Sequence, residues 1–255
     1  MKICISKMKR KIHIFPDLET LNQSAAEMFI RIGNEAIRKS GRFSVALAGG
    51  STPESLYRLF SGEQFKDQIE WRKVFFFFGD ERNVSPENEQ SNFRMANENL
   101  FLPLQIPDEN IFRWRTELKN AENIAEEYEK TIRVFFNLSE NEFPRFDLIL
   151  LGMGDDGHTA SLFPFTEALS ENKKIAAANE VEKLATVRLT LTFPVFNNAA
   201  NIFFLVAGEN KTETLQAVLE GDSQPEKYPS QNVNPENGSI YWLVDERAAK
   251  MLSVF

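Results

Sequence analysis

Between residues 17 and 39, apolar side chains recur at Leu21, Ala25, Met28, Phe29, Ile32 and Ile37. That spacing gathers them on one face of an amphipathic helix, and Gly41 supplies its stop. A different pattern follows. Residues 43–48 read as a strand that runs into Gly49-Gly50-Ser51-Thr52-Pro53, with a helix over 54–60 behind it. The same unit recurs where 74–78 enter Gly79-Asp80-Glu81-Arg82, where 146–151 enter Gly152, and where 202–207 enter Gly208. A first strand around His13 and a last one over 240–244 complete the set.

These strands are apolar without alternation, as strands covered on both faces are, and helices over 121–136 and 211–219 are available to cover them. The pattern predicts an α/β fold: a doubly wound, mostly parallel sheet with helices on both faces. No linker, low-complexity stretch or fixed-period repeat divides it. A single domain over 11–255 is therefore expected, after a short N-terminal tail at 1–10. Residues 221–238, with Pro225, Pro229 and Pro235, read as a long loop before the last strand. Ligands of open parallel sheets bind beyond the carboxyl ends of the strands, and here those ends carry glycine with polar or charged residues.

Composition narrows the function. With 255 residues, 42% of them hydrophobic, the chain can bury a sizeable core, and its net charge of −8 argues against nucleic acid or an anionic membrane as partner. A local cationic pocket for a small anion is compatible with that charge. Cys4 is the only cysteine, so neither a disulfide within the chain nor a thiolate zinc site is expected, and a reducing cytoplasm fits. The first ten residues lack the apolar run of a signal peptide, and translation can begin at Met1 or Met8.

Several segments can carry chemistry. In Gly49-Gly50-Ser51-Thr52-Pro53, Thr52 can cap a helix that Pro53 begins, which makes either an anion site or merely a well-capped turn. Arg82 can clamp a phosphate or pair with Asp80, and Asp245-Glu246-Arg247, with Asp245 as helix cap, shows that such a tripeptide need not be functional. Arg188 and Lys211 can face a phosphate or be ordinary solvated charges. Three glycines, two carboxylates and a histidine within residues 152–161 make little sense as packing. His158 is the candidate base for chemistry near neutral pH, His13 being placed in the first strand. A short helix opening at Thr159 would favour its neutral form and Asp156 the charged one, and His158 and Asp156 together form the catalytic expectation. Ser161 lies close by, but the Gly-x-Ser-x-Gly elbow is absent, so water is the more economical nucleophile. Ligand spacing for a metal is lacking.

Taken together, residues 47–53, Asp80-Glu81-Arg82, residues 152–164, Arg188-Leu189-Thr190-Leu191-Thr192, Gly208-Glu209-Asn210-Lys211 and residues 242–246 resemble the 6-phosphogluconolactonase family, in order and over nearly the whole chain. The resemblance implies the fold shared with glucosamine-6-phosphate deaminases and ribose-5-phosphate isomerases, and hydrolysis of 6-phospho-D-glucono-1,5-lactone without a cofactor. It implies His158 as general base and Arg82 as a holder of the anionic substrate. Gly49, Gly50, Ser51, Thr52, Arg188 and Lys211 follow as phosphate contacts, and the amides of Gly154 and Gly157 as oxyanion donors. The loop Gln231-Asn232-Val233-Asn234-Pro235 departs from the family pattern. Two rivals remain, a deaminase or isomerase of the same fold and a non-catalytic sugar-phosphate sensor. Against the first stand Arg82 and Leu162-Phe163-Pro164 where tyrosine and Asn-Glu-Pro are typical; against the second stands the lack of room for a helix-turn-helix. Oligomeric state is not legible.

Overall fold

A computed structural model describes residues 10–118 and 120–253. The expected tail thus lies outside the described residues, as do Cys4 and Met8, except for Arg10, which already belongs to the first strand. In chain order the elements are β1 (Arg10–Phe15), α1 (Leu18–Ser40), β2 (Phe43–Leu47), α2 (Ser51–Phe60), β3 (Val74–Phe78), β4 (Asp80–Arg82) and α3 (Asn92–Ala96). After a π-helical turn come α4 (Leu102–Leu104), α5 (Ala121–Phe136), β5 (Leu148–Gly152), β6 (Ala176–Val181), β7 (Thr186–Leu191) and α6 (Phe193–Asn198). The chain closes with β8 (Asn201–Val206), α7 (Thr212–Leu219), β9 (Ser239–Asp245) and α8 (Glu246–Ala249).

The main sheet has the order β1-β9-β8-β5-β2-β3, every neighbouring pair being parallel. This is the expected α/β architecture. Alternate residues of β3 show how both faces are covered. Phe75 and Phe77 meet Phe135 of α5, while Phe76 stacks with Trp71, which also meets Phe29 of α1. A second, antiparallel sheet of order β4-β7-β6 was not foreseen. Its β4 is three residues long and the alanine-rich β6 lacks the β-branched run that announces a strand.

Helix ends follow local chemistry. The Asp17 carboxylate accepts the Thr20 amide to open α1, and Gly41 closes it in the left-handed region at φ 78°. The expectation for α2 needs correction: it starts at Ser51, with Gly50 in the capping position and no side-chain cap, so Thr52 lies within the first turn instead of capping it. The last helix ends at Ala249, and Asp245 caps it as expected.

Two buried tyrosines finish the strands that lead into the glycine-rich edge. Tyr57 from α2 donates its hydroxyl to the Ala48 carbonyl at 2.8 Å and accepts the Ala48 amide at 3.0 Å. Tyr128 from α5 does the same at Phe78, over 3.1 and 2.8 Å. Burial pushes both phenols well above their ordinary range, so they act as neutral donors and acceptors. Tyr57→Phe leaves the amide and carbonyl of Ala48 without this partner inside the protein. We expect a loss of about 1–3 kcal/mol in urea unfolding, with the unfolding slope unchanged.

Candidate active site

The chain leaves β2 for β3 on one side and leaves β5 for β8 on the other, so the loops after the adjacent strands β2 and β5 diverge. A crevice opens where such a reversal occurs. It is a cleft of about 400 Å³, floored by the glycine turns after β2 and β5 and walled by side chains from the small sheet. Gly49 and Gly50 line it, as do Gly154, Asp156 and His158. Gly49 is required by a close approach: a β-carbon there would fall 2.0 Å from Oδ1 of Asn92. Asn92, at the start of α3, is in turn held by Glu81, whose carboxylate accepts the amides of Arg82, Asn92 and Phe93 and the Ser91 hydroxyl. Burial pushes the Glu81 carboxyl up to about 7 against the pull of those donors.

The histidine loop is a tight turn. Nδ1 of His158 lies 2.5 Å from Oδ1 of Asp156, and the His158 amide donates to the same oxygen at 3.1 Å. With Nδ1–H donated to a carboxylate, Nε2 is left as the basic nitrogen. The imidazole also stacks on Phe163, with centroids 4.1 Å apart. Burial acts to raise the Asp156 pKa, but hydrogen bonds from His158 and Lys183 outweigh it and hold the carboxyl well below its ordinary range. Asp156 is therefore an anion at neutral pH. Gly154 lets this pair form, since a β-carbon at that position would stand 2.1 Å from Nδ1 of His158 and 2.8 Å from Oδ1 of Asp156.

Two expectations for this loop are corrected. Its amides at Gly154 and Gly157 donate to the carbonyls of His158 and Gly154, at 2.9 and 3.2 Å, so neither is offered to an oxyanion. Nor does a helix open at Thr159. That hydroxyl donates to the Gly152 carbonyl at 2.9 Å, the Leu162 amide turns back to the Thr159 carbonyl, and Ala160 takes a left-handed φ of 47°. No helix terminus therefore points at His158, and its side-chain neighbours are Asp156 and Phe163. Ser161 is occupied elsewhere, donating to Asp80 at 2.7 Å.

Cations face the pair across the cleft. Antiparallel pairing of β4 with β7 sets Arg82 directly opposite Arg188, and both line the cleft with Lys211. Burial lowers the Arg188 pKa first and the charge of Arg82 adds to it, the signature of two guanidinium groups held close. Such a pair is unfavourable alone and becomes favourable with an anion between its members. The alternative of an Asp80–Arg82 ion pair is not what forms: Asp80 takes Ser161 and Asn92, and Arg82 donates to the Gln90 carbonyl at 2.7 Å. Ser51 and Thr52 are not among the cleft-lining residues; they form the uncapped first turn of α2. The sequence reading missed Lys183, which reaches Asp156 from the turn between β6 and β7. Its only signal was five-residue proximity to Arg188, and without the hairpin that carried no information.

Comparison with known proteins identifies the family of the chain. The model of the glucosamine-6-phosphate isomerases/6-phosphogluconolactonase family matches residues 16–242. A 6-phosphogluconolactonase of Nostoc is 38% identical over 247 residues, covering 97% of this chain and all of the relative, and one of Synechocystis is 38% identical over 86% of the chain and 88% of the relative. The solved structure of the 6-phosphogluconolactonase from Trypanosoma cruzi superposes with a TM-score of 0.87 at 28% identity, covering 97% of this chain and 98% of that one. A monomeric glucosamine-6-phosphate deaminase, at 20% identity and a TM-score of 0.77, shares the fold. An Asp-oriented histidine beside paired arginines at the switch point of a doubly wound sheet thus sits in a member of the glucosamine-6-phosphate isomerase/6-phosphogluconolactonase family.

Proposed function

We propose that the cleft hydrolyses 6-phospho-D-glucono-1,5-lactone to 6-phosphogluconate, the lactone-opening step of the oxidative pentose phosphate pathway, in the cytoplasm and without a cofactor. The observation that carries this reading is the His158–Asp156 pair facing the same cleft as Arg82 and Arg188. A base and an anion site are what a phosphorylated lactone needs. The relatives named 6-phosphogluconolactonase support the choice of substrate. Among the described residues no helix is long and apolar enough to cross a membrane.

In the proposed reaction Nε2 of His158 takes a proton from water as the water oxygen bonds to the lactone carbonyl carbon. The resulting imidazolium is stabilised by the Asp156 carboxylate on Nδ1. Collapse of the tetrahedral intermediate breaks the bond to the ring oxygen, which receives the proton from His158. Arg82, Arg188 and Lys211 hold the phosphate, with the open turn of Gly49 and Gly50 beside them. Since Gly154 and Gly157 have spent their amides within the loop, oxyanion stabilisation falls to other donors of the cleft.

His158→Ala is expected to bind substrate and to lose ~10²–10⁴-fold in kcat. The assay follows dehydrogenase-coupled consumption of freshly made lactone, with spontaneous hydrolysis subtracted and a chelator present. No acceleration by the wild-type protein would sink the proposal. Gly154→Ala tests the loop geometry without removing a functional group. The added methyl must push apart two groups now 2.5 Å from each other. A loss of about tenfold or more in kcat, with KM and the thermal midpoint changed much less, is expected from such a misplacement.

A further inference from the structure

Lys183 lines the cleft but has no part in the proposed reaction. Strands β6 and β7 form a hairpin, paired from Ala176↔Leu191 to Val181↔Thr186, whose turn is a 3-10 segment (Glu182–Leu184) closed by Ala185 at a left-handed φ of 48°. That turn carries Lys183 over the histidine loop, where its ammonium donates to Oδ2 of Asp156 while His158 holds Oδ1. The same ammonium lies 5.0 Å from the centre of the Phe163 ring, which stacks on the imidazole. Lys183 therefore touches both partners that orient His158.

We propose that Lys183 is a positioning residue for the catalytic pair, which fixes Asp156 and offsets its charge so that His158 remains free to accept a proton. The proposal rests on the reading of His158 as the base. As a stabilising contact the pair counts for little, because the Lys183 side chain is 51% exposed and screened by solvent. Its consequence is electrostatic. A bare carboxylate against Nδ1 favours the imidazolium, which cannot act as a base, and an ammonium on the far oxygen opposes that preference.

Other charged groups lie at or near the cleft that holds this imidazole. Asp155 belongs to its own loop; Asp80 and Arg82 come from β4, Arg188 from β7, and Lys211 from the segment after β8. Lys227 lies over Tyr228, which packs against Gly157. All are common to the wild type and a Lys183 variant, so a difference between the two isolates Lys183.

The experiment compares Lys183→Met, which keeps the apolar stem, with Lys183→Arg, which keeps the charge. The chain has two histidines, so the Cε1–H resonances of His158 and His13 can be followed by NMR across the pH range, assigned with His158→Ala. His13, on β1, serves as the internal control. The His158 midpoint in Lys183→Met is expected to rise by roughly half to one pH unit, with Lys183→Arg following the wild type. The acid limb of kcat/KM moves with it, so the deficit of Lys183→Met is about three- to tenfold on that limb and vanishes on the alkaline plateau. An unmoved midpoint overturns the proposal. So does a rate lowered by one factor at every pH, or a raised KM with an unmoved profile, which would assign Lys183 to substrate binding. If the wild type fails to open the lactone, the proposed function falls, and the NMR midpoints still decide the role of Lys183.

Discussion

A parallel sheet stops at one edge, and the amides and carbonyls at that edge need partners that leave room for a ligand. Filling the edge with more backbone would satisfy them and close the cleft; leaving them bare would cost about 1–3 kcal/mol for each group left buried and unpaired. Side chains from elsewhere solve this. Tyr57 takes both polar groups of Ala48 after β2, and Tyr128 takes both of Phe78 at the end of β3. The Thr159 hydroxyl takes the carbonyl of Gly152 at the end of β5, and the Asp245 carboxylate takes the amide of Gly208 after β8. Each strand is thereby finished by a group lying to the side of the cleft. The loops that follow are free to turn outward, and the space over the sheet is kept for a ligand.

The small antiparallel sheet uses that space. Its register forces Arg82 and Arg188 into opposition, an arrangement that a bound anion favours, and its hairpin carries Lys183 over the histidine loop. Glu81 links the two sheets' tasks. By gathering the amides that open α3 it places Asn92 against Gly49, so the glycine turn, the arginine strand and the helix start hold one another in place. Rigidity here is built from hydrogen bonds to backbone, which fix positions better than pairs of exposed side chains do.

How much of this the sequence shows depends on how local the physics is. Unbroken apolar runs announce buried parallel strands because burial on both faces is a property of the strand itself, and glycine-rich strand ends announce the functional edge. His158 and Asp156 are two residues apart, so their pairing is nearly a local fact. Arg82 and Arg188 are distant in the chain, and only the β4–β7 register makes them a pair. Lys183 was invisible for the same reason, β6 being built from alanines that signal no strand. The oxyanion role expected of Gly154 and Gly157 failed on a different point. Glycine type reveals where backbone can approach closely but not where its amides point, and here they close the turn on itself.

The net charge of −8 and the cationic wall are reconcilable through distance. At physiological ionic strength the field of scattered surface carboxylates decays over about 8 Å. A phosphate approaching the protein therefore meets the cleft's own charges only when nearly in place. Long-range attraction contributes little to capture in such a molecule, and selectivity falls to the geometry of Arg82, Arg188 and Lys211 at contact. Inside the cleft the same cations face the carboxylates of Asp80 and Asp156, but those are already bound, one by Ser161 and Asn92 and the other by His158 and Lys183. Because these two carboxylates have their own partners, neither is ion-paired with the arginines, and the base stands beside the cations without being drawn into their network.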